Sequence, residues 1–174
     1  MKKRGTTAPL FFLFILQILH FYNLNKRVKA KQQYKQNFYR PVNAQKYIGN
    51  AMPFYRSGLE LKFMRWCDKN PNVLKWSSES VIVPYRSPID HKMHRYFIDN
   101  VVVIKEGDAI KKYLVEIKPE SQTKPPTKHG NKKESTILYE QATWAVNNSK
   151  WESAKQYAKT IGYEFIIITD KQLP

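Results

Sequence analysis

Residues 95–119 read RYFIDNVVVIKEGDAIKKYLVEIKP, and the folding of this stretch decides how the rest is arranged. Two apolar, β-branched runs flank Gly107-Asp108, a pair suited to a two-residue hairpin loop with glycine first, as a type II′ turn prefers. A turn there opposes Asp99 to Glu116, with β-carbons about 5 Å apart. Lys118 follows Glu116 by two residues and shares its face. Ile98, Val102, Ile104, Val115 and Ile117 then fall on the other face, toward a core. Opposed like charges destabilise a sheet, and burying them is worse, so this pair asks for compensation.

A divalent cation would supply it. Carboxylate oxygens are hard ligands that suit magnesium, and the backbone carbonyl of Ile117 is placed to add a third. Lys118 beside them can position or activate a water, or neutralise charge on a phosphoryl oxygen. One acid facing Glu-x-Lys on the neighbouring strand is what metal-assisted phosphodiester hydrolysis needs. A surface hairpin with scattered charges is the alternative, because Glu-x-Lys is common by chance, and the pattern alone leaves both open.

Working outward, Ser57 N-caps a helix expected over Arg56 to Lys69, with Leu59, Phe63 and Trp66 at helical spacing and Asn70-Pro71 as its stop. Ser57-Gly-Leu-Glu60 fits a capping box, so Glu60 either satisfies the helix start or reaches toward the acids of the hairpin. Val73–Trp76 and Ser80–Tyr85 read as strands, and Arg86–Lys92 as a turn. After the hairpin comes a polar loop, PESQTKPPTKHGNKKES, longer than compact domains usually keep without a function. Ile137–Asn147 reads as a helix, and Ser149-Lys-Trp-Glu152 as the capping box of a second one that Gly162 stops near Ile161. Tyr163–Asp170 is a buried strand. Helix, strands, helix and strand make an α/β layout with a mixed sheet.

Charge divides the 174-residue chain unevenly. There are 30 Lys+Arg against 14 Asp+Glu, and the first acid is Glu60. A basic arm on a milder body suits a polyanion, and the aromatics interleaved with it (Tyr34, Phe38, Tyr39, Tyr47, Phe54, Tyr55) weakly favour nucleic acid through stacking, with a merely solubilising basic surface as the alternative. The single cysteine, Cys67, forms no internal disulfide and excludes cysteine metal sites. His91 and His94 alone carry little weight as a zinc site, and Trp144 and Trp151 read as core or interface. At the start, Lys2, Lys3 and Arg4 precede an apolar run from Leu10 to Tyr22, short of the roughly 20 residues a spanning helix needs. Signal or anchor, partner-binding helix and non-native extension from an upstream start compete; the last suits a body that reads as intracellular, and a membrane partner is not expected.

Glu60 on the first helix, Asp99 after Arg-Tyr-Phe-Ile and Glu116-Ile117-Lys118 together resemble the PD-(D/E)xK nuclease superfamily. More closely, YRSGLELKFMRWCDKNPNVLKWSSESVIVPYRSPIDHKMHRYFIDN followed by YLVEIKPESQTKPP is similar to the head completion nucleases of T-even-type tailed phages, over about Tyr47 to Lys128. The resemblance implies a restriction-endonuclease-like αβββαβ core with a mixed central sheet flanked by helices. Residues 47–174 would form this nuclease domain, and residues 1–46 an apolar and basic extension.

Further expectations follow from the resemblance. The activity is an Mg2+-dependent endodeoxyribonuclease, with Mn2+ as a substitute and no small-molecule cofactor. Its partners are DNA and phage head or neck proteins, and its place is the virion, after synthesis in the host cytoplasm. Asp99 and Glu116 hold the metal with the Ile117 carbonyl, Glu60 reaches it through water, and Lys118 is the catalytic lysine. Arg56, Arg95, Lys124 and Lys128 are the expected DNA contacts. Two positions depart from the pattern: Ile98 stands where the motif has proline, and Asn100 where an aromatic is usual. A TnsA-like transposon-end endonuclease and a non-enzymatic DNA-binding neck protein are the alternatives.

Overall fold

A computed structural model of the chain describes residues 36–127 and 133–173; Lys128 and the apolar run at 10–22 lie outside them. In chain order the elements are β1 (Asn37–Phe38), β2 (Phe54–Tyr55), α1 (Gly58–Lys69), β3 (Val73–Ser78), β4 (Ile82–Arg86), β5 (Met93–Phe97), β6 (Asn100–Glu106), β7 (Ala109–Lys118), α2 (Glu134–Thr160) and β8 (Glu164–Thr169). The central sheet runs β3-β6-β7-β8. Its pairs are antiparallel except β7–β8, which is parallel. A parallel pair needs a long crossover, and α2 provides it. Leaving out the two short ribbons, α1-β3-β6-β7-α2-β8 is the expected αβββαβ order.

Gly107 carries φ of 61° in the loop between β6 and β7, while Asp108 keeps an ordinary negative φ, the signature of the type II′ turn. The register follows from it: Glu106 faces Ala109 and Asn100 faces Val115. The hairpin is shorter than the sequence suggests. Residues 93–97 leave the central sheet and pair with β4 as a separate ribbon, Tyr96 opposite Val83. A bend at Ile98-Asp99 joins the two, so alternation breaks there, and Ile98 is buried on the face opposite to the one expected.

Both faces of the sheet are covered. On one side Phe63, Met64, Trp66 and Cys67 of α1 pack on Trp76, Val102, Ile104, Val115, Ile117 and Ile168. On the other, Trp151, Ala154 and Ala158 of α2 and Val83, Tyr85 and Tyr96 of the β4–β5 ribbon pack on Ile98, Val101 and Leu114. Ridges of small residues on α2 let it lie close to the strands. Two helices were expected here and one is found, running unbroken through Ser149. The Ser149 hydroxyl donates to the Arg86 carbonyl at 2.7 Å, tying α2 to β4 instead of capping a new start. Gly162, at φ of 71°, ends α2, and the Tyr163 N–H closes back on the Ala158 carbonyl at 2.8 Å.

Residues 39–46 strap onto the C-terminal end of α1 through Asp68. Its fully buried carboxylate accepts from the Tyr39 hydroxyl (2.7 Å), the Val42 N–H (2.7 Å) and the Asn43 N–H (2.9 Å). A carboxylate in the last turn of a helix opposes the macrodipole, and these donors offset that. Asp68→Ala should lower the unfolding free energy by about 3 kcal/mol, because several hydrogen bonds to a charged group are lost at once. Urea unfolding measures it, and a change below about 1 kcal/mol would mean the strap contributes little.

Candidate active site

The bend before β6 and the far end of β7 bring three of the expected residues together. Asp99 is half-buried one step outside β6, and its Oδ2 accepts the Ile117 N–H at 2.7 Å. Glu116, only 3 % exposed, projects from the α2 side of β7. Lys118 lies two residues on, its Nζ 2.9 Å from Glu116 Oε1. The second oxygen of Glu116 accepts a buried hydrogen bond of 2.5 Å from the Tyr96 hydroxyl. Glu116 is thus gripped from its own strand and from the β4–β5 ribbon.

The electrostatics follow from this packing. Burial first, then repulsion from Glu116, raises the Asp99 carboxyl well above the ordinary carboxylate range, against the pull of Lys118 and the Ile117 N–H. Burial works against the Lys118 ammonium, but the Glu116 and Asp99 carboxylates outweigh it and raise its pKa. Lys118 is therefore a fixed cation with N–H groups to spare. Tyr96 is held in its neutral, donating form by burial and by the Glu116 charge.

Glu60 sits at the start of α1 in capping contacts. Ser57 Oγ accepts the Glu60 N–H at 3.1 Å and donates to Glu60 Oε1 at 2.8 Å. Oε2 accepts the Arg56 N–H at 2.7 Å. The Glu60 charge still bears on Asp99 and on Lys118, so it borders the cluster while its oxygens serve the helix. Among the described residues no three His, Cys, Asp or Glu side chains converge as a ready ligand set. What the site offers a divalent cation is two adjacent carboxylates and a main-chain oxygen. Ile117 points its N–H at Asp99, and a strand residue presents N–H and C=O on one edge, so the carbonyl faces the same place beyond the end of β6. Hard oxygens beside a carboxylate pair that repels itself fit such an ion.

The basic residues are dispersed. Arg56 pairs with Glu79 at the edge of the cluster. Arg95 lies on the outer face of β5, over the Phe97 ring at 5.7 Å, and alternation turns it away from Tyr96. Lys124 pairs with Glu120 at 2.8 Å and lines a cleft of about 760 Å³ between residues 121–127 and α2. The departures from the motif have local reasons. The Ile98 N–H donates to the Val81 carbonyl at 3.0 Å, a bond proline cannot make. Asn100 is buried, and its Nδ2 donates to the Ser77 carbonyl at 3.2 Å, so an aromatic would lose that tie to β3.

Tyr96 escaped the sequence reading, although it lies three residues before Asp99. Its role is geometric: a short bond to a carboxylate fixes where the remaining lone pairs point. Tyr96→Phe removes one charge-assisted hydrogen bond, worth about 1.5–3 kcal/mol. If this cluster is a metal-dependent nuclease site, cleavage should drop roughly tenfold or more, with more metal needed for half-maximal rate. An unchanged metal requirement at unchanged rate would remove Tyr96 from the site.

Comparisons with known proteins bear on the family. The family described as TnsA-like endonuclease N terminal matches residues 70–170, a span that holds Asp99, Glu116 and Lys118 and begins after Glu60. The head completion nuclease of Enterobacteria phage T4 is 35 % identical over 137 residues, covering 76 % of this chain and 89 % of that protein. The strand order is consistent with both matches, and the chain belongs to the head completion nucleases of the PD-(D/E)xK superfamily, built on a TnsA-like endonuclease domain.

Proposed function

We propose that the protein is a metal-dependent DNA endonuclease that acts at phage head completion and head–tail joining. The observation that carries this is the cluster of Asp99, Glu116 and Lys118 at one end of the β6–β7 hairpin, in a chain related over most of its length to a nuclease named for head completion. Asp99, Glu116 and the Ile117 carbonyl would hold the ion, magnesium by the hardness of the ligands and manganese as a substitute. When bound, it neutralises phosphate charge and makes a water nucleophilic. Lys118 places its ammonium where charge builds on the phosphoryl oxygen. Tyr96 keeps Glu116 in its orientation, and Glu60 supplies negative charge at the border and a route through water.

Arg56, Lys124, Lys128 and the basic arm are the proposed DNA contacts, with Arg95 on the far side of its ribbon as an outlying one. Head and neck proteins are the proposed protein partners, and the virion the proposed place of action. Among the described residues no helix is long and apolar enough to cross a membrane. The TnsA-like match supports a second reading, cleavage at transposon ends by the same chemistry. The relative that spans nearly all of its own length with this chain favours head completion.

Incubation with supercoiled plasmid tests the activity. Nicking should require added magnesium, stop with chelator and return on repletion. Cleavage that persists in chelator would remove the metal from the reading, and no cleavage with any divalent ion would favour a DNA-binding neck protein.

A further inference from the structure

Glu79 stands just past the end of β3 with φ of 49°, in the left-handed region where residues other than glycine are strained. Such strain persists only where the surroundings hold it, and two contacts do so. The Glu79 N–H donates to the Asp99 carbonyl at 3.2 Å, one step beyond the last β3–β6 pair, Ser78 with Asn100. The Glu79 carboxylate takes the Arg56 guanidinium as a fork, Nη1 on Oε1 and Nη2 on Oε2, the latter at 3.4 Å. Arg56 in turn donates its main-chain N–H to Glu60. One strained residue therefore connects the helix start, the arginine and the backbone of Asp99.

The pair is not a buried structural tie. The Arg56 side chain is 52 % exposed and that of Glu79 28 %, so the guanidinium keeps outward N–H groups facing solvent. The charges bearing on Arg56 are Glu79, Glu60 and Asp99, which puts it at the border of the acidic cluster. A guanidinium held flat by one carboxylate is prepared to meet a phosphate with its free edge, since its donors lie in one rigid plane. A swinging lysine would have no such preference.

We infer that Glu79 is a positioning residue for phosphodiester cleavage: its carboxylate aims Arg56 at a DNA phosphate beside the Asp99–Glu116–Lys118 cluster, and its main chain anchors Asp99. This rests on the nuclease reading of that cluster. The left-handed backbone goes with both contacts at once: the carboxylate meets Arg56 while the N–H reaches Asp99.

Glycine separates this role from a structural one. Glu79→Gly keeps the N–H, suits a φ of 49° and removes the side chain with its carboxylate, so the variant should unfold at the same or a higher temperature than the parent. Its kcat/KM on plasmid DNA should nevertheless fall about 10- to 100-fold, as misdirected positioning groups do. Arg56→Ala should lose a similar factor, and the double variant no more than Arg56→Ala alone. The same comparison of DNA affinities by fluorescence anisotropy, made in a Lys118→Ala background, reads the coupling without cleavage, so that failure of the nuclease reading would be told apart. Wild-type kcat/KM in Glu79→Gly, additive losses in the double variant, or tighter DNA binding once the carboxylate is gone would each overturn the inference; the last would make Glu79 a competitor for Arg56.

Discussion

Lys118→Ala is expected to leave a folded protein that binds DNA and cleaves it roughly 1,000-fold more slowly in single turnover. The Nζ group stands 2.9 Å from Glu116 Oε1 with the side chain still 25 % exposed, so it serves the carboxylate and, on the proposed reading, would face the substrate as well. Its raised pKa means that the group lost is a cation. Alanine would remove both the charge proposed to oppose the phosphoryl oxygen and the counter-charge of a buried acid. The second loss should lower stability by about 1–3 kcal/mol, so the assay belongs well below the melting temperature, with folding checked by circular dichroism. Cleavage at the parental rate would move Lys118 out of the chemistry.

Asp99→Asn should have opposite effects on activity and stability. Asparagine keeps an oxygen for the Ile117 N–H and loses the negative charge that a divalent ion requires. Cleavage should fall by roughly 100- to 1,000-fold. Stability without metal should rise by about 0.5–2 kcal/mol, since a like charge facing Glu116 disappears. The pH dependence has a definite sign. A carboxyl whose folded pKa lies above its unfolded value of about 3.9 stabilises the native state below that value, and the stability is lost as pH rises through the folded pKa. The parent should therefore lose stability across that window, in chelator, while the variant is flatter. Urea unfolding across the acidic range would show it, and an advantage of the variant that shrinks as pH rises would contradict the assignment.

The hairpin register was legible because one glycine decides it: with φ positive at Gly107, every pair from Glu106–Ala109 to Asn100–Val115 follows. The cap at Ser57 was legible for the same reason, being local. What stayed hidden depends on partners distant in sequence. Nothing near Ile98 marks the bend that sends residues 93–97 to another ribbon, because its cause is the Val81 carbonyl and the core beneath. Ser149-Lys-Trp-Glu152 has the letters of a helix start, but its serine is used by Arg86 on β4. The site divides likewise. Glu116 and Lys118 lie on the hairpin and Asp99 one step before its first β6 residue, so counting brings the three near one another, whereas Tyr96 and Glu79 join them only through tertiary packing.

The position of β7 also sets an order of events. Its pairing with β6 closes through two residues, on a timescale of about 1–10 μs for an isolated hairpin. Its pairing with β8 must wait for the loop and all of α2, a much larger closure. On that order Asp99 and Glu116 would meet while still wet and lose their water only when α2 and the β4–β5 ribbon settle over them. Their repulsion then weighs on the last stage of folding and little on its nucleus. Relieving it should slow unfolding and leave the folding rate nearly unchanged, so the charge proposed to serve catalysis would also set how long the protein stays folded.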